Sequence, residues 1–142
     1  MLTFATSKNK AMKKSHVLTL LIVLVALFQS YNLNSQSAAT VQDINQAEFQ
    51  KLAKDPNTII IDVRTDMEVQ GGYIDGTTVF IDFYASDFKA KIGALDKSKK
   101  YIVYCHAGGR SAEAAEIMIK KGFKHVYNLE GGFSGWTGKV KR

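Results

Sequence analysis

Residues 101–111 constrain this chain more than any other stretch. Tyr101, Ile102, Val103 and Tyr104 form an apolar run of β-branched and aromatic side chains, as in a strand. Cys105, His106, Ala107, Gly108, Gly109 and Arg110 follow as a glycine-bearing loop, and Ser111 opens an alanine-rich segment. In that segment the apolar Ala112, Ala115, Ile117, Met118 and Ile119 share a helix with the charged Glu113, Glu116, Lys120 and Lys121, and Gly122 stands where a helix stops. A strand that passes into a helix through a six-residue loop belongs to an α/β sheet. It also puts Cys105 at the carboxyl end of a strand, where such sheets bind their ligands.

The flanking sequence repeats the alternation. Asn45-Gln46-Ala47-Glu48 reads as a capping box that opens a helix with Phe49, Leu52 and Ala53 on one face. After a turn at Asp55-Pro56-Asn57, residues 58–61 form a fully apolar strand, the pattern of a parallel strand covered on both faces. Thr65-Asp66-Met67-Glu68 reads as a second capping box, with Gly71 and Gly72 ending its short helix. Residues 77–81 read as a strand, and 82–92 as a helix with Phe83, Tyr84 and Phe88 inward. His125 to Leu129 is the last strand, and Gly131 to Trp136 a terminal helical turn.

Cys105 is the only cysteine among 142 residues. It has no partner for an intramolecular disulfide and no second thiol for a metal site. It is therefore either an inert packed thiol or a reactive one. Unpaired N–H groups and the helix dipole beyond the strand favour an anion, and a thiolate held there has a lowered pKa and becomes a nucleophile. Gly108 and Gly109 let the backbone turn its N–H groups inward. Arg110 adds a permanent charge whose fork suits a sulfonate or phosphate. Without a site, the same residues would be a packed cysteine, a glycine turn and a surface arginine.

Cys105-His106-Ala107-Gly108-Gly109-Arg110-Ser111 resembles the active-site loop of a single-domain rhodanese, a thiosulfate sulfurtransferase-like module. Ile59-Ile60-Ile61-Asp62-Val63-Arg64-Thr65 resembles that family's early strand with its Asp-Val-Arg ending. Asn128-Leu129-Glu130-Gly131-Gly132-Phe133-Ser134-Gly135-Trp136 resembles its closing Gly-Gly-aromatic-Trp segment. The three motifs stand in order across about Val41 to Gly138. One stretch departs: many members carry Gly-His-Ile-Pro-Gly where this chain has Gly72-Tyr73-Ile74-Asp75-Gly76, which reads as a structural turn.

The resemblance implies a three-layer α/β sandwich over residues 43–138, a small parallel sheet with helices on both faces. It implies that the Cys105 thiolate takes sulfur from a donor such as thiosulfate, carries it as a persulfide, and yields it to cyanide or a thiol. The N–H groups of His106, Ala107, Gly108, Gly109, Arg110 and Ser111 are expected to hold the anionic donor and persulfide, with Arg110 orienting the donor. No metal and no organic cofactor is implied. With no second cysteine to resolve the persulfide, the acceptor, a small molecule or a protein thiol, comes from outside.

Asp62, Arg64 and Trp136 are expected as supporting residues. Asp62 and Arg64 either position the loop or bind the anion, or else form an ordinary ion pair, for instance Arg64 with Glu68 or Glu130. Trp136, with Phe133, either walls the pocket or packs in the core. His106 either tunes the thiolate or faces solvent, and His125 reads as a surface residue. Two rival readings remain. Phosphatases and arsenate reductases resemble this family but use a loop one residue longer than the six from Cys105 to Arg110, and a smaller cradle suits sulfur better than a tetrahedral phosphate. A non-enzymatic sulfur carrier or redox-sensing module would carry the same loop.

The first 35 residues differ in kind. Lys8, Lys10, Lys13 and Lys14 precede an apolar run from Val17 to Phe28 broken only by Thr19, and largely polar residues follow. That order matches a secretory signal, with Met12 an alternative start and cleavage expected near Ser35 or Ala39. Residues 1–35 are thus expected to be a signal peptide or N-terminal anchor. The run is short of the ~20 residues that span a bilayer, so membrane contact is expected only through this segment, if it is kept. Residues 36–42 read as a flexible lead-in. The protein is expected in the periplasm or outside the cell. Of 19 basic and 13 acidic residues, four lysines and no acids lie in the first 35, which leaves 15 against 13, a net of +2. No basic stripe with interleaved aromatics remains, so nucleic acid is not expected as a partner.

Overall fold

The apolar runs of residues 59–61 and 101–104 form the bodies of the two strands at the heart of a parallel sheet. The structure, a computed structural model, describes residues 39–142 together with Ile22 and Val23. Apart from those two residues, the expected signal or anchor lies outside the described residues. Among them, no helix is long and apolar enough to cross a membrane.

In chain order the elements are β1 (Gln42–Ile44), α1 (Gln46–Leu52), β2 (Thr58–Asp62), α2 (Asp66–Gln70), β3 (Tyr73–Ile74), β4 (Val79–Phe80), α3 (Phe88–Gly93), β5 (Lys100–Tyr104), α4 (Gly109–Lys120), β6 (His125–Leu129) and β7 (Val140–Lys141), with a 3-10 turn at Phe133–Gly135 between the last two. The main sheet runs β1-β6-β5-β2-β4, all parallel. β3 and β7 form a separate antiparallel pair.

The pleat sends successive side chains to opposite faces. Ile61, Tyr101, Val103 and Val126 meet Phe88 and Ile92 of α3 and Ala114, Ala115 and Met118 of α4. Ile60, Ile102, Tyr104 and Leu129 face the other way, onto Phe49 of α1 and the partly buried Trp136. Helices therefore cover both faces, which is why β2 and β5 are apolar without alternation. Both capping boxes form. The Asn45 and Thr65 side chains accept from the backbone N–H of Glu48 and Glu68, whose carboxylates accept from the cap N–H in return.

Several expectations are corrected. Gln42, the last residue of the expected flexible lead-in, is the first of β1, which pairs in parallel with β6. The strand expected over residues 77–81 shrinks to Val79–Phe80, because the Thr77 hydroxyl turns aside to bond the Ile74 carbonyl (2.7 Å) and the Tyr104 hydroxyl (3.0 Å). The helix expected over 82–92 begins only at Phe88. The Asp82 carboxylate accepts the Tyr84 N–H at 2.8 Å, a local turn that competes with helix. Tyr84 is consequently 69% exposed rather than inward. Residues 72–76, expected as a turn, supply β3.

Candidate active site

β5 lies in the middle of the sheet, and its carboxyl end delivers Cys105 directly into the loop that caps α4. Gly108 is the N-cap, with φ of 105°, a left-handed conformation that side chains resist. That turn brings the loop back over the sulfur. The Gly108 N–H donates to Cys105 Sγ at 3.1 Å, and the Ser111 hydroxyl lies 3.4 Å from it. Cys105 is only 2% exposed, while His106, Ala107 and Gly109 are exposed on the outer side of the loop.

Burial alone would push the Cys105 thiol up. It is outweighed by the Ser111 hydroxyl and the backbone N–H groups of Ser111, Gly108 and Ala107, so the thiol titrates below its ordinary value. This is a nest of donors around a single large atom, suited to a thiolate. No side-chain hydrogen bond joins His106 to the sulfur among the described residues, and His106 lies on the solvent side.

The loop is held open from behind. Phe133 N–H donates to the Cys105 carbonyl at 2.8 Å, and Ser134 N–H to the His106 carbonyl at 2.9 Å. In a trans peptide the N–H points opposite to its carbonyl. Pulling these two carbonyls toward the 3-10 turn therefore turns the N–H groups of His106 and Ala107 away from it. Gly132 makes this contact possible: a Cβ there would stand 2.5 Å from the Cys105 oxygen and 2.7 Å from the His106 oxygen, at a φ of 54°. Gly132→Ala is expected to cost about 2–4 kcal/mol through overpacking and backbone strain together. It should also raise the thiol pKa as the loop is displaced. Denaturant unfolding and a thiol titration check both, and a variant as stable as the parent would show that the approach is not that close.

Asp62 and Arg64 support the same turn from the other side. They form a buried pair, 0% and 2% exposed, with Arg64 Nη2 2.6 Å from Asp62 Oδ2. Arg64 also donates to the Gly72 carbonyl at 2.8 Å, and its guanidinium lies 4.0 Å from the centre of the Phe133 ring. Arg64 thus pairs with Asp62, not with Glu68 or Glu130: the carboxylate two residues back is already within reach of the fork, and Glu68 is taken by another arginine. The pair touches the ring of Phe133, the residue whose backbone N–H holds the Cys105 carbonyl, so its place is structural and near the site.

Arg110 is the arginine that takes Glu68. Nη1 and Nη2 donate to the two carboxylate oxygens at 2.8 and 2.7 Å, a bidentate ion pair from α4 to α2. The Arg110 guanidinium lies 5.5 Å from the Tyr84 ring centre. Arg110 is therefore not a free anion hook but a guanidinium held in one orientation beside the loop. Its charge is reinforced first by the Glu68 hydrogen bonds. Glu68 in turn is held down to about 2 from 4.5, by Arg110 first and by Thr65 as well, against its burial. A depressed folded-state value contributes stability that is complete above pH 4.5 and is lost as pH falls toward 2. Acid unfolding of Glu68→Gln is accordingly expected to be flatter across that window than that of the parent, and superimposable curves would argue against it.

Trp136 does not wall the site. It packs on Phe49 with ring centres 4.7 Å apart, its indole N–H donates to the Lys139 carbonyl, and it belongs to the core cluster on the α1 face. Its neighbour Phe133 is the aromatic that reaches the loop. His125 is exposed, as expected. Two residues join the site through partners not expected for them: Glu68, through Arg110 and not Arg64, and Asn128, whose Oδ1 lies 2.6 Å from the Ser111 hydroxyl. Glu68 reads as a helix cap and Asn128 as a strand residue, and only the fold brings them here.

Comparison with known proteins agrees with this geometry. The rhodanese-like domain profile matches residues 45–139. Over 102 residues the chain is 34% identical to YtwF of Bacillus subtilis (strain 168), named as a candidate sulfurtransferase, covering 71% of this chain and 95% of that protein. It is 31% identical over 109 residues to YrkF of the same organism, named as a candidate sulfur carrier protein, covering 76% of this chain and 57% of YrkF. Among solved structures, a rhodanese-related protein from Thermoplasma volcanium superposes with a TM-score of 0.61 at 31% identity, covering 70% of this chain and 97% of that one. With a parallel sheet that delivers its one cysteine into a loop of inward N–H groups, and with a profile that covers four of the five strands of that sheet, the chain belongs to the rhodanese-like domain family.

Proposed function

We propose that this protein is a sulfurtransferase that moves sulfane sulfur from thiosulfate, or a donor like it, to an external thiophile through a persulfide on Cys105. The observation that carries the reading is the donor ring around Sγ: the Gly108 N–H at 3.1 Å and the Ser111 hydroxyl at 3.4 Å, on a thiol already shifted toward its thiolate. The thiolate attacks the outer sulfur of thiosulfate. The donor's S–S bond breaks, sulfite leaves with the bonding pair, and a Cys105 persulfide anion remains. The loop N–H groups stabilise that anion. Cyanide or a thiolate then attacks the terminal sulfur and the Cys105 thiolate is regenerated. Arg110, fixed by Glu68, sets the charge at the mouth through which the donor enters.

The purified protein is expected to form thiocyanate from thiosulfate and cyanide, and to leave aryl phosphates intact. Phosphate hydrolysis without sulfur transfer would overturn the reading in favour of phosphatase chemistry. A second reading, a sulfur carrier without turnover, is favoured by the likeness to YrkF. It differs in one result: the persulfide forms once and no acceptor discharges it.

The address is also a proposal. The lysines ahead of the apolar run of residues 17–28 support export across the cytoplasmic membrane. There the unpaired thiolate meets oxidants, and bound sulfur or a reductant keeps it active. Cell fractionation with N-terminal sequencing checks this, and full-length chain in the cytosol would refute it.

A further inference from the structure

Ser111 is the side chain nearest the sulfur that carries a movable proton, and it has more acceptors than protons. Its hydroxyl lies 2.6 Å from Asn128 Oδ1, 3.0 Å from the Gly108 carbonyl and 3.4 Å from Cys105 Sγ. One hydroxyl donates once. Which acceptor receives the proton therefore decides how much help the thiolate receives.

The sheet register settles the orientation of Asn128. In the β1–β6 pairing Asp43 stands opposite Asn128, so the two side chains share a face. Asn128 Nδ2 donates to Asp43 Oδ1 at 2.7 Å. A carboxylate accepts only, so the amide must turn its N–H toward Asp43 and its oxygen toward Ser111. Asn128 and Ser111 are buried, at 5% and 0% exposure, and Asp43 lies at the solvent end of the chain of contacts.

We propose that Asp43 and Asn128 are positioning residues for the nucleophile: they draw the Ser111 proton toward Asn128 while Cys105 is neutral or sulfur-loaded, and so set how strongly Ser111 stabilises the thiolate. The relay runs Asp43 carboxylate, Asn128 amide, Ser111 hydroxyl, Cys105 sulfur. When the thiolate forms or is released from its persulfide, its charge competes for the proton and Ser111 swings to it. The bond to Asn128 opposes that swing. The relay is therefore a restraint on the basicity of Cys105, imposed from a strand more than sixty positions earlier in the chain. This inference rests on Cys105 as the reacting group and not on the identity of the sulfur donor.

Other charged and titratable groups lie on the loop and the elements next to it. They are His106 and Arg110 of the loop, Glu68 of α2 on Arg110, Tyr84 against Arg110, the Asp62–Arg64 pair at the end of β2, and Glu130 after β6. All stay constant in the test, which reads differences between variants.

The test is a pH titration of the thiolate's ultraviolet absorbance on the whole protein, with Cys105→Ser as the blank. A single cysteine makes the signal unambiguous. Asp43→Ala frees the Asn128 amide to turn its N–H toward Ser111, and the Ser111 proton then goes to the sulfur. The midpoint is expected to fall by about half to one pH unit, the worth of a strengthened hydrogen bond to a charged acceptor. Asp43→Asn, which still accepts through its own oxygen, should restore the parent midpoint. In a Ser111→Ala background, Asp43→Ala should shift nothing. An unchanged or raised midpoint in Asp43→Ala overturns the proposal. So does an equal fall in Asp43→Asn, or a fall that persists without Ser111, since either would be a through-space charge effect. None of these readings uses a sulfur donor, so they stand apart from the sulfurtransferase assay.

Discussion

Cys105→Ser is expected to abolish sulfur transfer from thiosulfate to cyanide, a loss of at least about a thousandfold, while the protein stays folded. Serine fits where cysteine was, because Cys105 is buried among backbone N–H groups that donate to an oxygen as readily as to a sulfur. Its unfolding free energy should therefore stay within about 1 kcal/mol of the parent. The hydroxyl does not ionise in the range where the lowered thiol does, and it is a poor acceptor of sulfane sulfur. Steady-state turnover and denaturant unfolding on the same preparation separate chemistry from folding. Substantial turnover in a folded Cys105→Ser variant would remove the residue from the mechanism, and the donor ring around it would need another explanation.

Arg64→Ala is expected to be the most destabilising single change near the site. It leaves the Asp62 carboxylate at 0% exposure with the Arg64 backbone N–H (2.9 Å) as a remaining donor. Removing one partner of a buried ion pair costs about 3–5 kcal/mol, because the charge left behind is uncompensated. Further contacts go with it, among them the bonds to the Gly72 and Glu68 carbonyls and the stacking on Phe133. Since Phe133 holds the Cys105 carbonyl, activity should fall along with stability. Replacing both charges at once, Asp62→Leu with Arg64→Met, should cost less than Arg64→Ala alone, since no orphan charge is left. Urea denaturation of the three proteins decides it. A double variant less stable than the single one would mean that the pair contributes through something other than mutual neutralisation.

The parts of the fold legible in the sequence are those set by local patterns. The apolar runs of β2 and β5, the two capping boxes and the strand–loop–helix around Cys105 depend on residues adjacent in the chain. The parts that were not legible depend on contacts between distant residues. β1 offers three residues with one buried side chain, Ile44, too little periodicity to read, yet it completes the sheet by pairing with β6. Tyr84 and Phe88 stand four residues apart, a helical spacing, and the Asp82 side chain overrides it with a turn. In the site, Cys105, the loop glycines and Ser111 are one segment and were read directly. The partner of Arg110 lies 42 positions away, and that of Asn128 lies 85 away. Gly132 was visible as part of a motif, but its reason, a backbone approach to Cys105 and His106, exists only in three dimensions.

The central claim is that Cys105 carries sulfur. Intact-mass spectrometry of the protein after thiosulfate, followed by removal of the donor, reads it directly. The protein is expected to gain the mass of one sulfur atom, mapped to the peptide that contains Cys105, and to lose it on addition of cyanide. Cys105→Ser is expected to gain nothing. A parent protein that remains at its original mass in excess thiosulfate, with its thiol free, would contradict the account.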